Sequence, residues 1–121
     1  MSKQILIVED DVVNMKMMTD LLQAQGYDTL QSVDGKDFLR LTREYSPDLI
    51  IMDIQLPEIS GVDHIKSLKA DEQLMNIPVL AVTAFAKKLD EEKIRAAGCD
   101  GYITKPLDIP QFLDSVARFF S

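Results

Sequence analysis

Three short runs of apolar residues, each ended by a polar side chain, constrain the fold of this chain more than any other feature. The runs, with the residue that ends each, are Ile5–Val8 with Glu9, Leu49–Met52 with Asp53, and Val79–Val82 with Thr83. Within each run the apolar residues are consecutive rather than alternating, which is typical of strands buried on both faces. The runs therefore predict the central strands of a parallel sheet that helices cover on both sides.

The segments between these runs have a helical spacing of apolar residues. Two weaker strands, Tyr27–Ser32 and Gly101–Thr104, complete an alternation of five strands with five helices. The predicted buried stripe of the first helix is Asn14, Met18, Leu21, Leu22 and Gln25, with Met15 near its edge. That of the last helix is Ile109, Phe112, Leu113, Val116 and Phe120. Right-handed crossovers then favour an α/β, flavodoxin-like fold with strand order 2-1-3-4-5. We expect one domain over residues 1–121, without an output domain.

Charge and composition exclude several classes of protein. The 121 residues carry a net charge of −7, which argues against a nucleic-acid surface because such a surface needs a basic face. Cys99 is the only cysteine, so no internal disulfide forms and a reducing compartment is favoured. No signal peptide or run of about 20 apolar residues is present. We expect a cytoplasmic protein that does not insert into a membrane.

Polar side chains follow four of the predicted strands, so they should meet at the carboxyl edge of the sheet. Glu9, Asp10 and Asp53 would repel one another there unless a cation lies between them, and oxygen ligands suit Mg²⁺. No Cys/His ligand set exists for zinc, and His64 is expected to be a surface residue. With Lys105 nearby, the set suits phosphoryl transfer onto Asp53. A glycine-rich nucleotide loop is missing, so direct use of a nucleoside triphosphate is not expected.

Four motifs resemble the signatures of bacterial two-component response-regulator receiver domains. They are Val8-Glu9-Asp10-Asp11, Met52-Asp53-Ile-Gln-Leu-Pro57, Val82-Thr83-Ala84 and Lys105-Pro106, in that order along the whole chain. The stretches 53–61 and 82–86 further resemble the single-domain receivers that control the bacterial cell cycle and polarity. This resemblance implies a phosphorelay protein that is phosphorylated on aspartate and signals by phosphorylation-dependent protein binding.

The resemblance also implies a role for each residue of the site. Asp53 would be the phospho-acceptor. Mg²⁺, for which Mn²⁺ can substitute, would be held by Glu9, Asp10, Asp53 and the backbone carbonyl of Gln55. Glu9 replaces the commoner aspartate, so its contact with the metal is either direct or through water. The residues that contact the phosphoryl group or switch with it would be Lys105, Thr83, Ala84 and Tyr102, and the bond before Pro106 is a candidate cis peptide.

Further residues are candidates for partner contact and for the lifetime of the phosphoryl group. A sensor histidine kinase or phosphotransferase, membrane-bound kinases included, would dock on Asn14, Met17 and Leu107, with the side chain of Met17 at the solvent edge of its helix. Gln55 and Phe85 would flank the path of hydrolytic water. A downstream protein would bind the face formed by the fourth helix, fifth strand and fifth helix, whose rim carries Lys87, Lys88, Lys93 and Arg95. A monomer or weak dimer is expected.

Two alternatives use the same fold differently. One is a pseudo-receiver that binds partners constitutively, which the complete set of acids, Thr83 and Lys105 disfavours. The other is a Mg²⁺-dependent phosphohydrolase of small molecules, which would need a second acid where Gln55 stands and a substrate-closing cap for which the chain is short. We therefore expect no enzymatic activity beyond self-phosphorylation and self-dephosphorylation.

Overall fold

The computed structural model describes residues 2–84 and 88–121. Strands and helices alternate along them. The strands are β1 (Gln4–Val8), β2 (Asp28–Ser32), β3 (Leu49–Asp53), β4 (Val79–Thr83) and β5 (Gly101–Thr104). The helices are α1 (Val12–Ala24), α2 (Phe38–Tyr45), α3 (Gly61–Lys69), α4 (Lys88–Ala96) and α5 (Ile109–Arg118). In the described part, no helix is long and apolar enough to cross a membrane.

All five strands pair in parallel in the order β2-β1-β3-β4-β5, which confirms the predicted fold. Successive residues of the central strands point to opposite faces of the sheet, and both faces are buried. Leu6 and Val8 pack into one core with Phe38 of α2, while Ile5 and Ile7 pack into another with α1 and α5. This double burial explains why the central strands are continuous apolar runs.

The buried stripe of α1 differs from the prediction. The side chains that face the sheet are those of Met15, Met18, Thr19 and Leu22, whereas Gln25 is exposed and Asn14 and Leu21 are only half-buried. Asp11 caps the helix by accepting hydrogen bonds from the backbone of Val13 and Asn14. Ile109, predicted for the stripe of α5, is also exposed, because it begins that helix directly after the cap residue Asp108.

The prediction that His64 is a surface residue is wrong. Its side chain is 7% exposed and packs edge-on against Phe38, with ring centroids 5.4 Å apart. The loop between β2 and α2 covers it at Gly35, where a Cβ atom would lie only 2.6 Å from His64 Nε2. Across the same place Lys36 pairs with Glu58 at 3.5 Å. Phe38 and the loop at Gly35 together bury this ring, and helical spacing alone gives no sign of either contact.

Burial of His64 predicts one component of the pH dependence of stability. Burial lowers the pKa of the imidazole from 6.5, and the opposing effect of the Asp63 carboxylate does not outweigh it. The unfolded chain therefore binds this proton more readily, so the stability that His64 contributes is present above pH 6.5 and is lost as the pH falls through the folded-state pKa. Urea titrations at several pH values should show this loss in the wild type and a smaller one in His64→Gln. Parallel pH profiles would contradict it.

Candidate functional site

The carboxyl edge of the sheet brings the predicted acidic residues together. Glu9 directly follows β1 and is fully buried, Asp53 ends β3 and is 2% exposed, and Asp10 lies on the rim in solvent. Carboxylate oxygens of these three residues lie within 4.8 Å of one another. Two of the three charges are therefore withdrawn from water, which is costly unless a cation compensates them.

Lys105, directly after β5, supplies one such cation. Its Nζ lies 3.0 Å from Glu9 Oε1 and 3.4 Å from Asp53 Oδ2. Burial, and then the adjacent Asp53 carboxylate, raise the pKa of Glu9 to about 7, although Lys105 opposes the shift. Burial lowers the pKa of Lys105, but Glu9 and Asp53 outweigh it, so the net pKa is raised and the ammonium stays charged. One ammonium thus faces two buried carboxylates.

The remaining donor atoms fit a hard divalent cation. Glu9 Oε1 and Asp53 Oδ2 are buried, and neither accepts a well-formed hydrogen bond from the described part of the chain. The other oxygens are partly used, since Glu9 Oε2 accepts the Asp11 N–H at 3.2 Å and Asp53 Oδ1 accepts the Gln55 N–H at 3.0 Å. Clustered carboxylate oxygens with unsatisfied lone pairs are the ligands that Mg²⁺ prefers.

Gln55 connects the loop after β3 to the end of β4. Its Nε2 donates to Thr83 Oγ1 at 2.8 Å, and its Oε1 accepts the backbone N–H of Ala84 at 3.0 Å. Thr83 is fully buried, and Gln55 is half-buried beneath the rim. The side-chain amide of Gln55 therefore links the loop after β3 to Thr83, which ends β4, and to Ala84, which follows it.

The predicted docking residues line a single groove. Asn14 and Met17 of α1 face Ala84, Lys105, Pro106 and Leu107 across a cavity of about 510 Å³. The Lys105–Pro106 peptide is cis. Met17 was predicted at the solvent edge of its helix, but its side chain is half-buried in this groove.

The structure describes some of the residues predicted to switch with the phosphoryl group, to affect its lifetime or to bind a partner, and not others. Tyr102 is half-buried on β5, and the Arg95 guanidinium lies 5.8 Å from its ring centroid. Phe85 and Lys87, predicted for the hydrolysis path and the partner-binding face, lie outside the described residues.

Comparison with known proteins decides the family. The family model described as "Response regulator receiver domain" matches residues 5–117. The chain belongs to the response regulator receiver family. This receiver is 52% identical over 119 residues to "Polar-differentiation response regulator DivK" of Brucella ovis, a match that covers 98% of this chain and 97% of the relative.

Solved structures support the same assignment. The chemotaxis protein CheY4 of Vibrio cholerae superposes with a TM-score of 0.92 at 24% identity, covering 98% of this receiver and 99% of that chain, and so supports the fold alone. The receiver domain of a sensor histidine kinase from Pseudomonas aeruginosa superposes with a TM-score of 0.90 at 30% identity, covering 100% of both chains. That structure has a magnesium ion coordinated in its active-site cleft.

Sequence reasoning missed two features of this receiver. Lys105 was predicted to contact the phosphoryl group, but its ion pair with Glu9 was not predicted. Gln55 was predicted to bind the metal through its backbone and to flank the path of hydrolytic water, but the hydrogen bonds of its side chain to Thr83 and Ala84 were not predicted. The parallel order of β3 and β4 could have indicated the bridge, since a long side chain two residues after Asp53 lies beside the end of the neighbouring strand.

Proposed function

We propose that this receiver accepts a phosphoryl group on Asp53 from a histidine kinase or phosphotransfer protein. Mg²⁺ would be held by Glu9, Asp10, Asp53 and the backbone carbonyl of Gln55. The observation that carries the proposal is Asp53 Oδ2, a buried carboxylate oxygen beside two other acids and 3.4 Å from the Lys105 ammonium. Such an oxygen can act as a nucleophile, and the Lys105 ammonium lies where it can compensate the negative charge of the phosphoryl group that Asp53 would carry.

The transfer follows from this arrangement. An Asp53 carboxylate oxygen attacks the phosphorus of a phosphohistidine, the P–N bond breaks, and its electron pair remains on the imidazole nitrogen. Mg²⁺, when bound, neutralises charge on the transferred oxygens. Lys105 would balance a second part of that charge, and the Thr83 hydroxyl at the end of β4 and the Ala84 N–H just after it would donate hydrogen bonds to the product.

The alternatives are less well supported. A pseudo-receiver has no need of a three-carboxylate cluster in which two carboxylates are buried with unsatisfied oxygens, an arrangement that is costly to maintain. A phosphohydrolase would use a second acid to activate water, whereas the Gln55 amide is engaged with Thr83 and Ala84. The site thus favours a protein that holds a phosphoryl group.

Partner binding follows from the surfaces on either side of the site. We propose that the donor protein docks in the groove of Asn14, Met17 and Leu107, because this groove opens beside Lys105 and Ala84. Movement of Thr83 and Tyr102 would alter the face of α4, β5 and α5, where a target protein binds. The relative named for polar differentiation supports a role in cell polarity or the cell cycle.

The acceptor assignment has a direct test. Wild type incubated with acetyl phosphate and Mg²⁺ should gain the mass of one phosphoryl group, and Asp53→Asn should gain none, because the amide keeps the shape but is not a nucleophile. Intact mass spectrometry measures both. Asp63→Asn, an exposed aspartate on α3, is the matched control and should label like wild type. Full labelling of Asp53→Asn would place the acceptor elsewhere.

A further inference from the structure

The Gln55 side chain engages the same two groups of β4 that the phosphoryl group on Asp53 would need. Its amide accepts the Ala84 N–H at 3.0 Å and donates to Thr83 Oγ1 at 2.8 Å. The orientation of the amide is fixed by chemistry, because only its oxygen can accept from a backbone N–H. We propose that the Gln55 carboxamide is an internal clamp that opposes phosphorylation by holding Thr83 and Ala84 away from the acceptor. This inference rests on the acceptor role of Asp53.

Gln55 Oε1 and an oxygen of the phosphoryl group would compete as acceptors for one donor, the Ala84 N–H. A backbone N–H makes one strong hydrogen bond, so an oxygen of the phosphoryl group can take the Ala84 N–H only after Gln55 Oε1 releases it. Thr83 Oγ1 only accepts from Gln55 Nε2, so this second bond opposes phosphorylation by holding the Thr83 side chain in its present position and not by competing for a donor. Phosphorylation has to break the Ala84 bond, and inward movement of Thr83 breaks the second bond, so the free energy of these bonds is subtracted from that of the phosphorylated state.

The position of Gln55 couples this competition to Asp53. The Gln55 backbone N–H donates to Asp53 Oδ1 at 3.0 Å, and the next residue back, Ile54, extends the ladder to β4 through its bond to Val82 O at 2.9 Å. One residue thus contacts the acceptor through its backbone and the switch residues through its side chain. Release of the side chain leaves the backbone contact intact, so the clamp can open without disturbing the acceptor.

A purely structural role of the Gln55 hydrogen bonds predicts a different result. If Gln55 only fastened two loops, its loss would lower stability and weaken every state of the protein alike. The chain contains a control for this comparison, because Gln31 Nε2 donates to Thr19 Oγ1 at 2.9 Å on the outer strand β2, which β1 separates from β3. Gln31→Met removes the same type of bond from a place that does not face the acceptor.

The test is equilibrium binding of beryllium fluoride with Mg²⁺, which mimics a phosphoryl group on an aspartate without a kinase. Gln55→Met keeps the length of the side chain and removes both bonds, so it should bind the mimic about 3- to 10-fold more tightly than wild type. Gln31→Met should bind like wild type. Amide hydrogen exchange of Ala84, measured without the mimic, should be faster in Gln55→Met, which reports the released N–H independently of phosphoryl chemistry.

The outcomes distinguish failure of the clamp alone from failure of the acceptor role on which it rests. If wild type binds the mimic and Gln55→Met binds it equally or more weakly, the clamp is wrong and the acceptor role stands. Unchanged Ala84 exchange in a folded Gln55→Met would also overturn the clamp. If no protein binds the mimic, both assignments fail together. Should Gln55→Met not fold, Gln55→Asn, one methylene too short to reach both partners, must show the same gain for the clamp to hold.

Discussion

Gly61→Ala should lower the free energy of unfolding by about 3 kcal/mol, a value at the upper end for overpacking. A Cβ atom at this position would overlap the backbone carbonyl oxygen of Asp53 and lie 2.7 Å from the Cα atom of Ile54. Both are backbone atoms, Asp53 at the end of the central strand β3 and Ile54 held directly after it by its N–H bond to Val82 O, so no change of rotamer relieves the overlap. Because the displaced backbone belongs to Asp53 and its neighbour, the Asp53 side chain should shift as well, and the fraction of the variant that folds should be labelled poorly by acetyl phosphate.

Gly26→Ala is the matched control for this effect. Gly26 has φ +92 after the end of α1, and no atom lies within 4 Å of the position that a Cβ would occupy. Alanine there suffers the strain of a left-handed backbone without any clash, which costs about 1–2 kcal/mol. Urea unfolding of both variants measures the difference. Equal losses would show that close packing against Asp53 is not the reason for glycine at position 61.

The fold could be predicted because its strongest signals are local. The runs that became β1, β3 and β4 are continuous and apolar, and this pattern occurs only where both faces of a strand are covered. Strand order then follows from right-handed crossovers, and the order brings Glu9 and Asp53 to the same edge of the sheet. Clustering of the acids required no information beyond these steps.

The remainder depends on contacts between loops that sequence spacing does not encode. His64 is buried because Gly35, at φ +82, lets a loop close over it. The side chain of Gln55 reaches Thr83 because β3 and β4 are adjacent and Gln55 lies just beyond the end of β3. The stripe of α1 was misplaced because hydrophobic spacing could not tell which side of Met18 faces the sheet, and Met15 and Thr19 rather than Gln25 do so. These errors concern the direction in which a helix faces or the contacts of its side chains, and none concerns which element forms.

Lys105→Met should destabilise the metal-free protein by about 3 kcal/mol, which is typical of removing one partner of a buried ion pair. The variant keeps the apolar stem and loses the ammonium that lies 3.0 Å from Glu9 and 3.4 Å from Asp53. Both carboxylates are almost fully buried, so the variant leaves two close charges with no cation. Mg²⁺ should recover much of the loss, because an ion that binds only the folded state stabilises it by mass action.

The loss should also depend on pH in a defined direction. The folded-state pKa of Glu9, about 7, is higher than the 4.5 of a free glutamate. The stability associated with its protonation is therefore fully present below pH 4.5 and is lost as the pH rises through 7. In the metal-free protein, Lys105→Met should accordingly lose less stability at acidic pH, where Glu9 is neutral, than at a pH above 7.

Lys69→Met separates this effect from the general loss of a buried lysine. The side chains of Lys69 and Lys105 are 19% and 20% exposed, and Lys69 pairs with Asp100 at 3.1 Å. Its ammonium also donates to the backbone carbonyls of Met75 and Ile77, so its removal should be costly as well. That loss should be equal with EDTA and with Mg²⁺, because Asp100 does not belong to the three-acid cluster. Thermal unfolding of wild type and both variants in each condition measures the contrast, and a Lys105→Met deficit that Mg²⁺ leaves unchanged would contradict a shared site for the ammonium and the metal.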